Sequence, residues 1–121
     1  MRKGKEEVKN MIHAKFSVKD GRVRMDLQGH AGSAPRGEDL VCSAATMLAY
    51  TAAQAAQFLL EQGKLKERPE VCLEAGDAAV SVMPTEEAMA EALHTFWVVQ
   101  CGIHVLAHNY PQNVKLECMK V

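Results

Sequence analysis

The sequence has no surplus of positive charge: 14 Lys and Arg stand against 15 Asp and Glu in 121 residues. Binding along a phosphate backbone draws on counterion release and needs a cationic excess, so no direct nucleic-acid partner is expected. Long apolar runs are missing as well. The most apolar stretch, residues 40–60, is interrupted by Thr46, Tyr50, Thr51, Gln54 and Gln57, and is too polar for a membrane span. Residues 1–10, MRKGKEEVKN, lack the apolar centre of a secretion signal, which makes the cytoplasm the expected compartment. In that reducing setting Cys42, Cys72, Cys101 and Cys118 are expected as thiols. No C-x-x-C spacing joins any two of them, so no metal site is expected and each cysteine is judged alone.

What is present is an ordinary globular composition, 48% apolar and 24% charged, in a chain that fits one domain with one core. Residues 1–10 read as a charged extension, solvated and disordered in expectation, ahead of a single domain over residues 11–121. From Ile12 the pattern alternates: Ile12, Ala14, Phe16 and Val18 share one face of a predicted strand. Asp20-Gly21 supplies a tight hairpin turn, and Val23, Met25, Leu27 and Gly29 resume the alternation up to His30. Residues 31–38, AGSAPRGE, hold too many breakers for regular structure and are expected to form a loop.

A helix is predicted to follow directly, with Asp39 as a suitable N-cap and an apolar stripe from Val41 to Leu59 that Gly63 ends. A second hairpin is expected around residues 74–77, and Pro84 prevents its extension. Thr85 then caps a second helix, with Glu86 and Glu87 in its first turn and Met89, Ala92, Leu93, Phe96, Val99 and Ile103 inward. Val114, Leu116 and Cys118 form a closing strand. The expected fold class is α+β: a two-layer ββαββαβ domain, with two helices on a mainly antiparallel five-stranded sheet.

His30 and Cys42 stand at opposite ends of the glycine-containing loop, one closing a strand and one in the first turn of the expected helix. At that N3 position the unpaired amides and the positive end of the helix dipole favour thiolate, the nucleophilic form. A nearby imidazole takes the thiol proton as base and later protonates a leaving amine, as acyl transfer requires. The free helix amides offer oxyanion donors. Two roles stay open for Asp39: bonding the amides of Val41 or Cys42 as a cap, or turning outward to orient His30.

The run Gly29-His30-Ala31, then Gly37, then Asp39-Leu40-Val41-Cys42-Ser43-Ala44-Ala45 resembles the signature of the ribosomal-processing cysteine protease family, often called Prp. The element order is similar too, over nearly the whole chain from Met11. That resemblance implies that His30 and Cys42 are the catalytic pair, that Asp39 matches the acidic residue before the cysteine, and that Gly29 and Gly37 are hinge glycines of the substrate loop. It also implies a cytosolic homodimer, without cofactor, whose partner is the N-terminal segment of a precursor of the large-subunit ribosomal protein numbered twenty-seven. By the same resemblance the extension is expected to be cut just after an aromatic-rich segment. The segment Ser33-Ala34-Pro35-Arg36 is stiffer and less acidic than the family's loop, and residues 1–10 precede the usual start. Lys5-Glu6-Glu7-Val8 is then readable as a translated ribosome-binding site ahead of a start at Met11. A non-catalytic ribosome-associated binding protein of the same fold is the alternative.

Elsewhere the plainer readings are preferred. His104 and His108, with Cys101, have helical metal-pair spacing but sit where the second helix is expected to end, a place that favours cations in any case. Cys72 and Cys118 are expected as core fillers in strands, and Phe96 and Trp97 as helical core aromatics, with a groove or a dimer interface as the alternative for the two aromatics. A redox sensor built on Cys42 would need a resolving cysteine, and none is close in sequence.

Overall fold

The computed structural model describes residues 11–30 and 36–120, with the side chains of residues 36–39 excepted. The charged extension and residues 31–35 of the expected loop fall outside the described residues. The chain runs β1 (Ile12–Lys19), β2 (Arg22–Gln28), α1 (Arg36–Glu61), β3 (Glu70–Glu74), β4 (Asp77–Val82), α2 (Met89–Asn109) and β5 (Val114–Glu117). This is the expected ββαββαβ order. The strands make one sheet ordered β3-β4-β2-β1-β5, antiparallel except where β5 runs parallel to β1.

Alternation along the strands decides which face is covered. Ile12, Ala14 and Phe16 in β1, Val23, Met25 and Leu27 in β2, and Val80 and Val82 in β4 are all buried on the helix side. Each large side chain so placed contributes about 1.5–3 kcal/mol of burial. The opposite face is polar, with Arg24 forking onto both oxygens of Asp26 at 2.7 and 2.9 Å. Further along it Arg22 pairs with Glu67 at 2.6 Å and donates to the buried Ser81 at 3.3 Å.

Both helices lie on the covered face: α1 over β3 and β4, and α2 over β1, β2 and β5. Val41, Ala45, Ala49, Ala52, Ala56 and Leu59 form the buried stripe of α1, and Ala92, Phe96, Val99 and Ile103 that of α2. Small residues let the two helices approach each other. At Gly102 a side chain would meet Leu48 of α1, 2.6 Å from one methyl carbon and 3.1 Å from the other, so a hydrogen there sets the spacing.

Three local expectations are corrected. Helix α1 begins at Arg36 and not after Asp39, so Asp39 is a first-turn residue and not the N-cap. Gly37, read as a breaker, is tolerated inside that turn at modest cost. Helix α2 begins at Met89, because residues 86–88 form a separate turn. Thr85 caps that turn, its Oγ1 and carbonyl accepting the Ala88 N–H at 3.2 and 3.1 Å, and Glu91 is the acid of the first helical turn. The helix ends at Asn109 with His108 in its last turn, where its end was expected.

The third correction concerns burial. Phe96 is fully buried, whereas Trp97 is 49% exposed and stacks on His94 with ring centroids 5.6 Å apart. Cys118 lies beyond β5 and is exposed, and Cys72 is only half-buried on the edge strand, so neither fills the core. Among the described residues no further element covers the outer side of the sheet or of the helices, so residues expected inward there meet solvent instead.

Candidate active site

Register brings three chain segments to one end of the sheet. Gln28 of β2 stands opposite His13 of β1 and Asp77 of β4, so the end of β2, the start of β1 and the turn between β3 and β4 are neighbours. The second to fourth turns of α1 pass over the same end, presenting Cys42, Ala45, Thr46, Ala49 and Tyr50. Between them lies a cleft of about 360 Å³. Ile12, Leu27, Ala45 and Ala49 give it an apolar floor, Tyr50 and Leu73 flank it, and both His30 and Cys42 line it.

The two sequence-predicted chemical residues are therefore brought to one cavity from opposite ends of the connecting segment. His30 is exposed, and Cys42 is half-buried with one side against the core. That combination suits a nucleophile. The sulfur is held by packing on the helix, while the imidazole stays open to solvent and to a bound peptide. None of the four cysteines is in a disulfide.

The location of Cys42 on its helix differs from expectation. Because α1 starts at Arg36, Cys42 is its seventh residue and not its third. The unpaired amides belong to the first four residues, so the amide of Cys42 lies within the intrahelical ladder. Dipole assistance falls off within the first turn, so little of it reaches the sulfur. The unpaired amides expected beside Cys42 as oxyanion donors therefore do not belong to its own turn.

Gly29 stands where β2 ends. Its φ is +102°, a side chain there would fall on the Met11 carbonyl oxygen, and its N–H donates to the Gly76 carbonyl at 3.0 Å. Gly37 and Asp39 both lie in the first turn of α1, and the Asp39 carboxylate is outside the described residues.

Sequence reasoning missed the third wall. The hairpin connection read at residues 74–77, with its flanking Leu73 and Ala78, supplies Leu73, Glu74, Ala75, Gly76, Asp77 and Ala78 to the lining. The two carboxylates there are the only charged side chains, apart from any charge on the titratable His30 and Cys42, among the described lining residues. Strand pairing was the signal available: once β4 is placed beside β2, its preceding turn must lie next to His30.

Cys101, His104 and His108 do not converge. Among the described residues the one set of ligand-type atoms close together is Cys72, Glu74 and Asp77, within 4.8 Å of one another, with the Cys72 thiol 3.5 Å from the Asp77 carbonyl oxygen. Glu74 and Asp77 are exposed, as acidic rims without an ion commonly are.

Comparison with known proteins places this geometry. No curated protein matches the chain. Among solved structures, SMU.848 from Streptococcus mutans is 26% identical, with 90% of this chain and 94% of that one covered at a TM-score of 0.66. The essential ribosomal processing protease Prp of Staphylococcus aureus, in complex with a substrate peptide, shares the fold at 19% identity, with 89% and 99% coverage and a TM-score of 0.63. The same protease with a covalently linked product peptide gives 21% identity, the same coverage and a TM-score of 0.62. The family model described as cysteine protease Prp matches residues 11–115, and by that match this chain belongs to the cysteine protease Prp family.

Proposed function

We propose that this chain is a cysteine endopeptidase that removes the N-terminal extension of a large-subunit ribosomal protein, the one numbered twenty-seven, during ribosome maturation. The observation that carries the reading is the joint lining of one peptide-sized cleft by His30 and Cys42 in a member of a cysteine protease family. Further support comes from the S. aureus relative, which is a ribosomal processing protease seen with substrate and with product peptides. The apolar floor of Ile12, Leu27, Ala45 and Ala49 suits an aromatic side chain next to the cut.

The chemistry follows from the pair. The Cys42 thiol gives its proton to the His30 imidazole, and the sulfur attacks the scissile carbonyl carbon. As the C–N bond breaks, the imidazolium protonates the leaving amine. Water, deprotonated by the same imidazole, then attacks the thioester, releasing the new carboxyl end and restoring the thiol. Asp39, in the helical turn before Cys42, is proposed as a supporting carboxylate that stabilises the imidazolium.

The domain carrying this activity is proposed to be residues 11–121, acting in the cytoplasm. No helix among the described residues is long and apolar enough to cross a membrane. A homodimer is proposed too, supported by Met47, Phe58, Trp97, Val98 and Val105, which are exposed on the two helices.

Incubation with the unprocessed ribosomal protein of the same cell tests the function. Mass spectrometry should find the extension and the mature protein as separate products, and Cys42→Ala should leave the precursor whole. A precursor untouched by the wild-type protein, or cut by Cys42→Ala, would end the proposal.

A further inference from the structure

We infer that Gly76, in the turn between β3 and β4, is a positioning residue for His30, an assignment that rests on the proteolytic reading above. The space its side chain would fill is occupied by the imidazole. A Cβ at Gly76 would overlap His30 Nε2 and would lie 2.8 Å from Cε1 and 3.2 Å from Cδ2. The far edge of the ring therefore rests on a bare α-carbon, and any larger residue evicts it.

Backbone geometry ties the two residues together as well. The Gly29 N–H donates to the Gly76 carbonyl at 3.0 Å, so the residue before His30 is fixed to the residue beneath its ring. An exposed histidine at a strand end would otherwise sample several staggered rotamers. Here the tether sets where the side chain starts and the glycine surface sets where it ends. Productive acid–base chemistry needs that restriction, because a misplacement of about 1 Å can cost a hundredfold in rate.

Other glycines show that this is not a matter of turn geometry alone. Gly76 has φ +77° and Gly63 has φ +74°, so both favour glycine for backbone reasons, yet nothing lies within 4 Å of a side chain built at Gly63. Alanine at either position meets the same backbone strain. Only at Gly76 does it also displace a chemical group, and that group is the end of a movable side chain, so the fold can yield by giving up the imidazole position.

The test compares Gly76→Ala, Gly76→Asn, Gly63→Ala and His30→Ala in the full chain, with a peptide spanning the precursor junction as substrate. Asparagine tolerates positive φ better than alanine while carrying the same Cβ, so it keeps the test valid if Gly76→Ala does not fold. Both Gly76 variants are expected to lose about a hundredfold in kcat with KM little changed, and to shift the His30 imidazole NMR resonances. Gly63→Ala should match the wild type in both. If His30→Ala is inactive while the folded Gly76 variants keep wild-type kcat and unshifted resonances, the positioning role is overturned and the proteolytic reading stands. If His30→Ala cuts as fast as the wild type, the proteolytic reading falls and the positioning role falls with it.

Discussion

Gly29→Ala makes the sharpest demand on the structure. At φ +102° an L side chain costs about 1–2 kcal/mol from its own backbone. The new Cβ would also fall on the carbonyl oxygen of Met11, a backbone atom at the start of β1 that cannot swing aside. Forcing packed atoms apart in this way adds about 1–3 kcal/mol. Together the loss is about 2–5 kcal/mol, which in a domain of this size lowers Tm by roughly 3–5 °C per kcal/mol. Gly63→Ala isolates the first part, since its φ is +74° and its side chain would meet nothing within 4 Å. Thermal melts followed by far-ultraviolet circular dichroism should therefore place Gly29→Ala about 3–15 °C below Gly63→Ala. Equal melting points would refute the reasoning, because they would mean that strand β1 moves away from Gly29 at no cost.

Four further outcomes are expected. Thr46→Trp, at an exposed position lining the cleft, should raise KM for the precursor peptide severalfold while Tm stays close to wild type, since surface changes usually stay within about 0.5 kcal/mol. Asp39→Asn should lower kcat by about tenfold or more if its charge supports the imidazolium, and unchanged turnover would remove it from the chemistry. Iodoacetamide at neutral pH should label Cys42 ahead of the more exposed Cys118, and labelling in order of exposure would favour the non-catalytic binding protein. Phe96→Ala, which empties a fully buried ring site, should cost about 3–5 kcal/mol in chemical denaturation, and a smaller loss would mean that α2 collapses onto the sheet.

Much of the fold was legible because its signals are local. Strict alternation over Ile12, Ala14 and Phe16 and over Val23, Met25 and Leu27 marks two strands buried on one side, and the structure buries those six residues. The apolar stripes of both helices were readable for the same reason. Helix starts were less legible. Gly37 in α1 looked like a breaker, yet one unfavourable residue costs about 1 kcal/mol, which packing of the following turns easily offsets. Thr85 bonds as a cap, but to a turn that ends before α2 begins, and only the three-dimensional path distinguishes the two. The third wall of the cleft was illegible for a different reason. Gly76 comes to His30 through the pairing of β4 with β2, a contact between residues far apart in sequence.

The depth of Cys42 in α1 changes which group must activate it. At the first turn of a helix the dipole contributes about 0.3–1 kcal/mol toward an anion, a factor of about two to five in thiolate population. At the seventh residue that contribution is smaller still. A positioned general base contributes about 10²–10⁴-fold, so under the proposed Cys42–His30 pairing the imidazole is expected to outweigh the helix. His30→Ala should accordingly slow iodoacetamide alkylation of Cys42 at neutral pH, whereas removing a first-turn charge other than Asp39, as in Glu38→Gln, should hardly alter it. Stopped-flow alkylation with mass-spectrometric assignment of the labelled cysteine measures both. An alkylation rate in His30→Ala equal to that of the wild type would mean that the sulfur is activated without the imidazole, and the two residues would no longer constitute one catalytic unit.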